Sequence, residues 1–204
     1  MTVRHFQEVS MNGRFKLGVL GLAGLAVLVF ASAALAHSVV RIVGSMHDDT
    51  ITGTPGPDYI LARAGNDTVN AGDGNDRVHG NRGDDTVNGE GGNDRVWGGV
   101  GNDKVTGGDG NDVLRGRPGD DSLDGGPGND RMWPGGGTDT QYGGDGDDVL
   151  HALARDHKVD TLDCGPGNDT AVLNAAETSD TTVNCETIKK VTITSAEAER
   201  QENG

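Results

Sequence analysis

The chain has 204 residues and a formal net charge of −15, with 17 Lys and Arg against 32 Asp and Glu. Only 3% of its residues are aromatic and 33% are hydrophobic, whereas 35 are glycine. This acidity argues against nucleic acid and anionic lipid as partners, because such binding depends on neutralising phosphate with Lys and Arg. Composition alone is typical of a disordered acidic chain.

The N-terminal segment has the features of a secretory signal peptide. Arg14 and Lys16 precede the apolar run LGVLGLAGLAVLVFASAALA, which ends in a small-x-small triplet. We expect residues 1–36 to be removed and the mature chain to begin at His37, with no membrane association after cleavage. An uncleaved anchor is the alternative, since the run is nearly long enough to span a bilayer, and Met11 is an alternative start.

A nine-residue repeat follows a short lead-in at residues 37–43. Twelve nonapeptides run from 44 to 151 without insertion, and we number their positions from first to ninth. The fourth position is Gly in eleven, the eighth is aliphatic or Met in eleven, and the fifth is Asn or Asp in ten. The sixth is Asp in all twelve: Asp49, Asp58, Asp67, Asp76, Asp85, Asp94, Asp103, Asp112, Asp121, Asp130, Asp139 and Asp148. Such a period predicts a solenoid in which each repeat buries its apolar residue by stacking on its neighbours.

The repeats resemble the RTX, or haemolysin-type, calcium-binding nonapeptide G-G-x-G-x-D-x-U-x, where U is a large aliphatic residue. The segments GGDGNDVLR at 107–115 and GGPGNDRMW at 125–133 carry the resemblance most fully. It implies an all-β fold, a parallel β-roll (β-solenoid), in which six residues form a turn, three form a strand and two repeats complete a coil. It also implies that the sixth-position carboxylates, with backbone carbonyls of the turns, hold several Ca²⁺ ions between turns stacked on one side of the roll.

The residue chemistry is consistent with that expectation. Ca²⁺ takes six to eight oxygen ligands, which suits carboxylates and carbonyls, and glycine allows the backbone to turn carbonyls onto one point. Each coil buries only two aliphatic side chains, so we expect bound ions to supply stability and the chain to fold on binding them. The alternative is a metal-free solenoid whose aspartates only cap turns.

The repeat changes phase after residue 151. Three residues, 152–154, are inserted, and the segment 160–163 keeps the Asp and the aliphatic position without the glycines. The turn returns at 164–172, where Asp169 is a further predicted ligand. We interpret residues 152–190 as degenerate repeats and a C-terminal cap.

The two cysteines of the chain lie in this cap. In an exported protein the pair Cys164 and Cys185 predicts a disulfide, since it lacks the C-x-x-C spacing of a redox site. Closing the exposed end of a solenoid is what a cap requires. The polar composition of residues 191–204 predicts a flexible tail.

No catalytic constellation is found, and we predict that the protein is not an enzyme. The sequence has neither G-x-S-x-G nor H-E-x-x-H, and its six histidines do not fall at metal-ligand spacing. Paired carboxylates such as Asp84-Asp85 follow from the fifth and sixth repeat positions. Repeats of this family often follow a protease, lipase or toxin domain, and the cleavable signal here argues against those assignments.

Folding two repeats onto each coil predicts two different faces. The even repeats bring arginines to the seventh position and Trp97, Arg115 and Trp133 to the ninth, with Arg115 in cation–π range of both tryptophans. The odd repeats present mostly neutral polar side chains. The aromatic face either stabilises the roll alone or docks an extracellular glycan or other surface partner. We therefore expect a secreted, extracellular or cell-surface calcium-binding protein, with an adhesin or glycan-binding module as the alternative.

Overall fold

The computed structural model describes the backbone of residues 5–11, 16–21 and 26–28, and describes residues 39–177 and 179–194 together with their side chains. Strands and turns account for all of these residues, without a helix. The strands are β1 (His5–Met11), β2 (Lys16–Gly21), β3 (Ala26–Leu28), β4 (Val40–Val43), β5 (Thr50–Thr52), β6 (Asp58–Ala64), β7 (Thr68–Asn70), β8 (Arg77–Arg82), β9 (Thr86–Gly91), β10 (Arg95–Val100), β11 (Lys104–Asp109), β12 (Val113–Pro118), β13 (Ser122–Pro127), β14 (Arg131–Gly136), β15 (Thr140–Asp145), β16 (Val149–Ala152), β17 (Thr161–Asp163), β18 (Thr170–Asn174), β19 (Thr181–Val183) and β20 (Thr187–Val191).

The strands form two sheets that alternate along the chain, which confirms the predicted parallel β-roll. Sheet 1 has the order β2-β1-β4-β6-β8-β10-β12-β14-β16-β18-β20, and sheet 2 has the order β19-β17-β15-β13-β11-β9-β7-β5-β3. Neighbouring repeat strands are parallel and offset by eighteen residues, as in the pair Arg95 and Val113. The offset becomes twenty-one between Val149 and Thr170, because the coil accommodates the inserted residues.

The strands are longer than the resemblance implied. Strands β8 to β15 each have six residues and run from the seventh position through the third position of the following repeat. The added half pairs in register, as between Gly99 and Asn81. The turn is therefore reduced to the fourth, fifth and sixth positions, where glycine supplies the required left-handed backbone, as at Gly110 with a φ of 131°.

The core consists of the eighth-position side chains packed between the two sheets, with one column contributed by each sheet. The described members from 51 to 150 are at most 1% exposed. They are Ile51, Ile60, Val69, Val78, Val87, Val96, Val105, Leu114, Leu123, Met132, Gln141 and Leu150. Since alternate residues of a strand point to opposite faces, the seventh and ninth positions face outward and form the surface of each sheet.

Three strands lie within the segment predicted to be a signal peptide. Strand β1 pairs antiparallel with both β2 and β4, and β3 pairs parallel with β5. The predicted cleavage point between residues 36 and 37 lies outside the described residues, as does most of the predicted tail. No helix long and apolar enough to cross a membrane occurs in the described part of the chain.

Candidate metal centre

The sixth-position aspartates form two columns, one at each turn of the roll, and one carboxylate oxygen bonds to the neighbouring coil. The backbone N–H of Asp85 donates to Oδ1 of Asp103 at 2.8 Å, and the N–H of Asp103 donates to Oδ1 of Asp121 at 2.8 Å. Every sixth-position aspartate from Asp49 to Asp130 donates in this way to its counterpart eighteen residues later. Oδ1 therefore holds neighbouring coils together.

The second oxygen, Oδ2, is buried in most of these carboxylates and has no hydrogen-bond partner in the described structure. This holds for eleven of the thirteen predicted ligands: Asp67, Asp76, Asp85, Asp94, Asp103, Asp112, Asp121, Asp130, Asp139, Asp148 and Asp169. A buried carboxylate oxygen without a partner is strongly destabilising. Each of these oxygens therefore needs a cation or a proton.

Backbone oxygen atoms lie beside the unpartnered carboxylate oxygens. A Cβ atom on Gly107, at a first position, would collide with Oδ2 of Asp112 and with the carbonyl oxygen of Gly125 in the next coil. The same arrangement surrounds Gly89, where the two oxygens belong to Asp94 and Gly107. Glycine at the first position thus keeps open an oxygen-lined space, and hard oxygen ligands of both kinds are those that Ca²⁺ prefers.

The described residues contain no group of three or more His, Cys, Asp or Glu side chains converging on one metal position. An ion held in either column would therefore take most of its ligands from backbone carbonyls. Oxygen ligands of this kind suit Ca²⁺ better than zinc, which favours nitrogen and sulfur.

Burial changes the acidity of the sixth-position carboxyls. It raises the pKa of Asp94 and Asp103 to about 7. The pKa of Asp76 and Asp121 rises to about 8, because the neighbouring carboxylates of the same column add to the effect of burial. Without a cation, the folded columns therefore hold protons near neutral pH.

The first coil differs from the others. The N–H of Thr54 donates to Oδ2 of Asp58 at 2.6 Å, and the Thr54 hydroxyl donates to Oδ1 at 3.1 Å. Ser45 contacts both carboxylate oxygens of Asp49 in the same way. These two predicted ligands therefore have hydrogen-bond partners for the oxygen that is unpartnered elsewhere.

Three further carboxylates extend the columns beyond the residues predicted from sequence. Asp139 donates its N–H to Oδ1 of Asp160, and Asp160 donates to Oδ1 of Asp180 at 3.1 Å. On the other turn, Asp169 donates to Oε2 of Glu186 at 2.9 Å. Asp160 could have been predicted as a member of the column, because it precedes Leu162 by two residues, as the sixth position precedes the eighth in each repeat. The other two stand in turns without glycine, where the repeat pattern is lost.

The fifth positions form a second pair of ladders to which sequence reasoning gave no role. The N–H of Asn111 donates to Oδ1 of Asn93 at 2.7 Å, and that of Asp84 donates to Oδ1 of Asn66 at 3.0 Å. The donor here lies on the later coil, whereas in the sixth-position ladder it lies on the earlier coil. The side chain of Asn or Asp at the fifth position therefore links neighbouring turns. This link explains why these two residue types recur at that position.

The predicted disulfide is present at the C-terminal end of the roll. Cys164 and Cys185 are joined, with their Cα atoms 5.1 Å apart. Cys164 is fully buried at the first position of its repeat. The bond connects the start of the last glycine-rich turn to the segment between β19 and β20.

Aromatic side chains stack along the outer surface of sheet 1. The rings of His79 and Trp97 lie 4.3 Å apart at 9°, and those of Trp133 and His151 lie 4.4 Å apart at 13°. The Arg115 guanidinium lies over the Trp133 ring at 4.8 Å, which confirms the predicted contact with this one of the two tryptophans. Burial, reinforced by neighbouring arginines, lowers the pKa of His151 to about 4, so this imidazole is neutral at physiological pH.

Comparison with protein-family models identifies the repeat. Four copies of the RTX calcium-binding nonapeptide repeat match residues 43–78, 71–105, 106–141 and 142–156. These matches span more than half of the chain and end at residue 156, just beyond the inserted residues 152–154. No curated protein matches the chain.

Proposed function

This chain belongs to the family of RTX calcium-binding nonapeptide repeats, and from that premise we propose that it is a secreted protein that binds several Ca²⁺ ions and folds on binding them. The ions lie along the two turn columns. Their ligands are the Oδ2 atoms of the eleven unpartnered aspartates and carbonyl oxygens of the adjoining turns.

One observation carries this proposal: the same carboxylate oxygen is left without a partner in coil after coil. A structural role alone would be met by Oδ1, which links the coils. Oδ2 of Asp112 lies instead beside backbone oxygens, where its charge is unfavourable without a cation. A divalent ion removes that cost and joins two coils at once.

Folding coupled to binding follows from the distribution of stabilising groups. The core has only one aliphatic side chain from each repeat, and the turn columns beside it are lined with buried carboxylates. An ion that binds only the folded state adds its binding free energy to the stability of that state. We therefore propose that the Ca²⁺-free chain is largely unfolded at neutral pH.

Circular dichroism of the mature chain tests this proposal. Addition of Ca²⁺ to chelator-treated protein should produce a cooperative gain of β signal, which a second chelation reverses. Mg²⁺ is the matched control, because its smaller ion demands octahedral geometry and retains water. A full β signal in chelator, or an equal response to Mg²⁺, would contradict the proposal.

Secretion is part of the same proposal. An oxidising compartment is where a disulfide such as Cys164–Cys185 forms and persists. Intact mass of material recovered outside the cell should correspond to a chain beginning at His37 with two hydrogens lost. A retained apolar segment would contradict cleavage, and two free thiols would contradict bridging.

The surface of sheet 1 favours a second candidate function, that of an adhesin or glycan-binding module built on the same roll. Trp97, Arg115 and Trp133 stand in one line with two histidines, and they are only partly buried. Aromatic and arginine side chains are enriched at binding sites. The calcium-bound roll would be the scaffold that holds this line straight.

A further inference from the structure

Charge is divided between the two sheets of the roll. Sheet 2 strands from β5 to β15 contain four acidic residues and one base, Lys104. Sheet 1 strands from β6 to β16 contain a single acidic residue, Asp58, which belongs to the turn column. They contain seven arginines: Arg63, Arg77, Arg82, Arg95, Arg115, Arg117 and Arg131. A protein with net charge −15 thus has one strongly basic strip.

Three of these arginines form an exposed column. Arg77, Arg95 and Arg131 occupy seventh positions and are exposed. Arg77 and Arg95 are register partners on adjacent strands, and Arg131 lies two strands beyond Arg95, past Val113. Adjacent strands are about 4.8 Å apart, so Arg77 and Arg95 are separated by one strand spacing along the roll axis, and Arg95 and Arg131 by two.

The aromatic line beside this column does not form a stacking platform. The His79–Trp97 and Trp133–His151 ring pairs are nearly parallel and separated by about one strand spacing. Their faces therefore point along the roll axis at each other, and their edges point outward. Neutral sugars and nucleobases, which bind aromatic faces, gain little from such a surface. The edges of the rings instead form the surface beside the arginines.

We propose that the strip binds a linear anionic polysaccharide, with one chain lying along the roll axis and its sulfate or carboxylate groups over Arg77, Arg95 and Arg131. Guanidinium groups pair with such oxyanions through two parallel hydrogen bonds. The site depends on the proposed function, because the calcium-bound fold aligns the arginines.

The surroundings of the strip favour a narrow ligand. Exposed fifth-position carboxylates, including Asp84 and Asp120, line one of the turns that border it. The opposite sheet is acidic, so the molecule as a whole repels a broad anionic surface such as a bilayer. A single polyanionic chain can follow the arginine column without approaching those carboxylates.

Binding of Ca²⁺-loaded mature protein to dextran sulfate, with neutral dextran as the matched control, tests the assignment. The triple variant Arg77→Gln, Arg95→Gln, Arg131→Gln should lose about tenfold in affinity, since three exposed ion pairs are removed. The control is Lys104→Gln, Arg155→Gln, Lys158→Gln, which removes the same charge from exposed positions outside the strip. It should bind dextran sulfate within about twofold of the original chain.

Four outcomes would overturn the assignment. The first two are equal losses of dextran sulfate affinity in the two triple variants, and equal binding of dextran and dextran sulfate by the original chain. The other two are tighter binding of anionic vesicles or duplex DNA than of dextran sulfate, and a salt-sensitive dimer that only the arginine triple variant loses. The last outcome would assign the strip to the acidic sheet of a second copy. Circular dichroism of the same samples separates the two proposals: a roll that folds without Ca²⁺ contradicts the proposed function, while the comparison of variants still decides the strip.

Discussion

The backbone N–H of Asp94 donates to Oδ1 of Asp112 at 2.7 Å, whereas Oδ2 of Asp112 is buried without a hydrogen-bond partner. The two oxygens of one carboxylate therefore have different tasks. Oδ1 is committed to the contact between coils, and Oδ2 is available to a cation. This division allows the effect of charge to be tested without removing the contact between coils.

Replacing Asp112 by Asn should raise the Ca²⁺ concentration needed for folding by about tenfold or more, because an amide can still accept at Oδ1 but places NH₂ among cation ligands. The measurement is the midpoint of the β signal in a Ca²⁺ titration. Asp109→Asn is the matched control, since Asp109 is exposed on the same coil and carries the same charge. Equal midpoints for the two variants would contradict a ligand role for Asp112.

Acidification should stabilise the Ca²⁺-free roll. An aspartate in the unfolded chain has a pKa near 3.9, whereas burial raises the pKa of Asp94 to about 7 and that of Asp121 to about 8. Below about pH 4 both states are protonated, and stability falls as the pH rises from there towards 8, because the unfolded chain ionises first. In the presence of chelator, the β signal should therefore increase as the pH is lowered from 7.5 to 5. Unchanged spectra over that range would contradict it.

Much of the fold could be predicted from the sequence, because one residue per repeat sets each structural role. The invariant sixth-position Asp and the aliphatic eighth position predicted the carboxylates of the turns and the core, but not that the carboxylates form a column at each of the two turns. The strand length could not be predicted, because Asn81 and Gly99 pair in register although their residue types and positive φ values, 84° and 134°, are typical of turns rather than strands. The positions of Asp180 and Glu186 in the columns could not be predicted either, because their turns lack the glycines that mark the repeat.

Replacing Cys164 and Cys185 together by Ser should lower the stability of the Ca²⁺-loaded roll by about 3 kcal/mol, because the bond closes a loop of about 22 residues in the unfolded chain. The free energy of unfolding in urea at saturating Ca²⁺ is the appropriate measurement. Reduction of the unsubstituted protein should give a similar loss. A change below about 0.5 kcal/mol in both experiments would show that the end of the roll does not depend on this link.

Gln141 is the one polar residue among the eighth-position core side chains from 51 to 150, and replacing it by Leu should stabilise the roll. Its Nε2 donates to the carbonyl oxygen of His151 at 2.8 Å, but its Oε1 is buried without a hydrogen-bond partner in the described structure. Its register neighbours are Leu123 and Leu162, so a leucine would continue an aliphatic column.

Removing the unpartnered oxygen and adding apolar contact outweighs the loss of one neutral hydrogen bond, and we expect a net gain of about 1 kcal/mol. The reverse substitution, Leu123→Gln, is the matched control and should destabilise by about 2 kcal/mol or more, since it introduces an amide into an apolar position. Both are measured as unfolding free energies at saturating Ca²⁺. Destabilisation by Gln141→Leu would show that the bond to His151 contributes more than the oxygen costs, and that the polar residue holds β15 to β16.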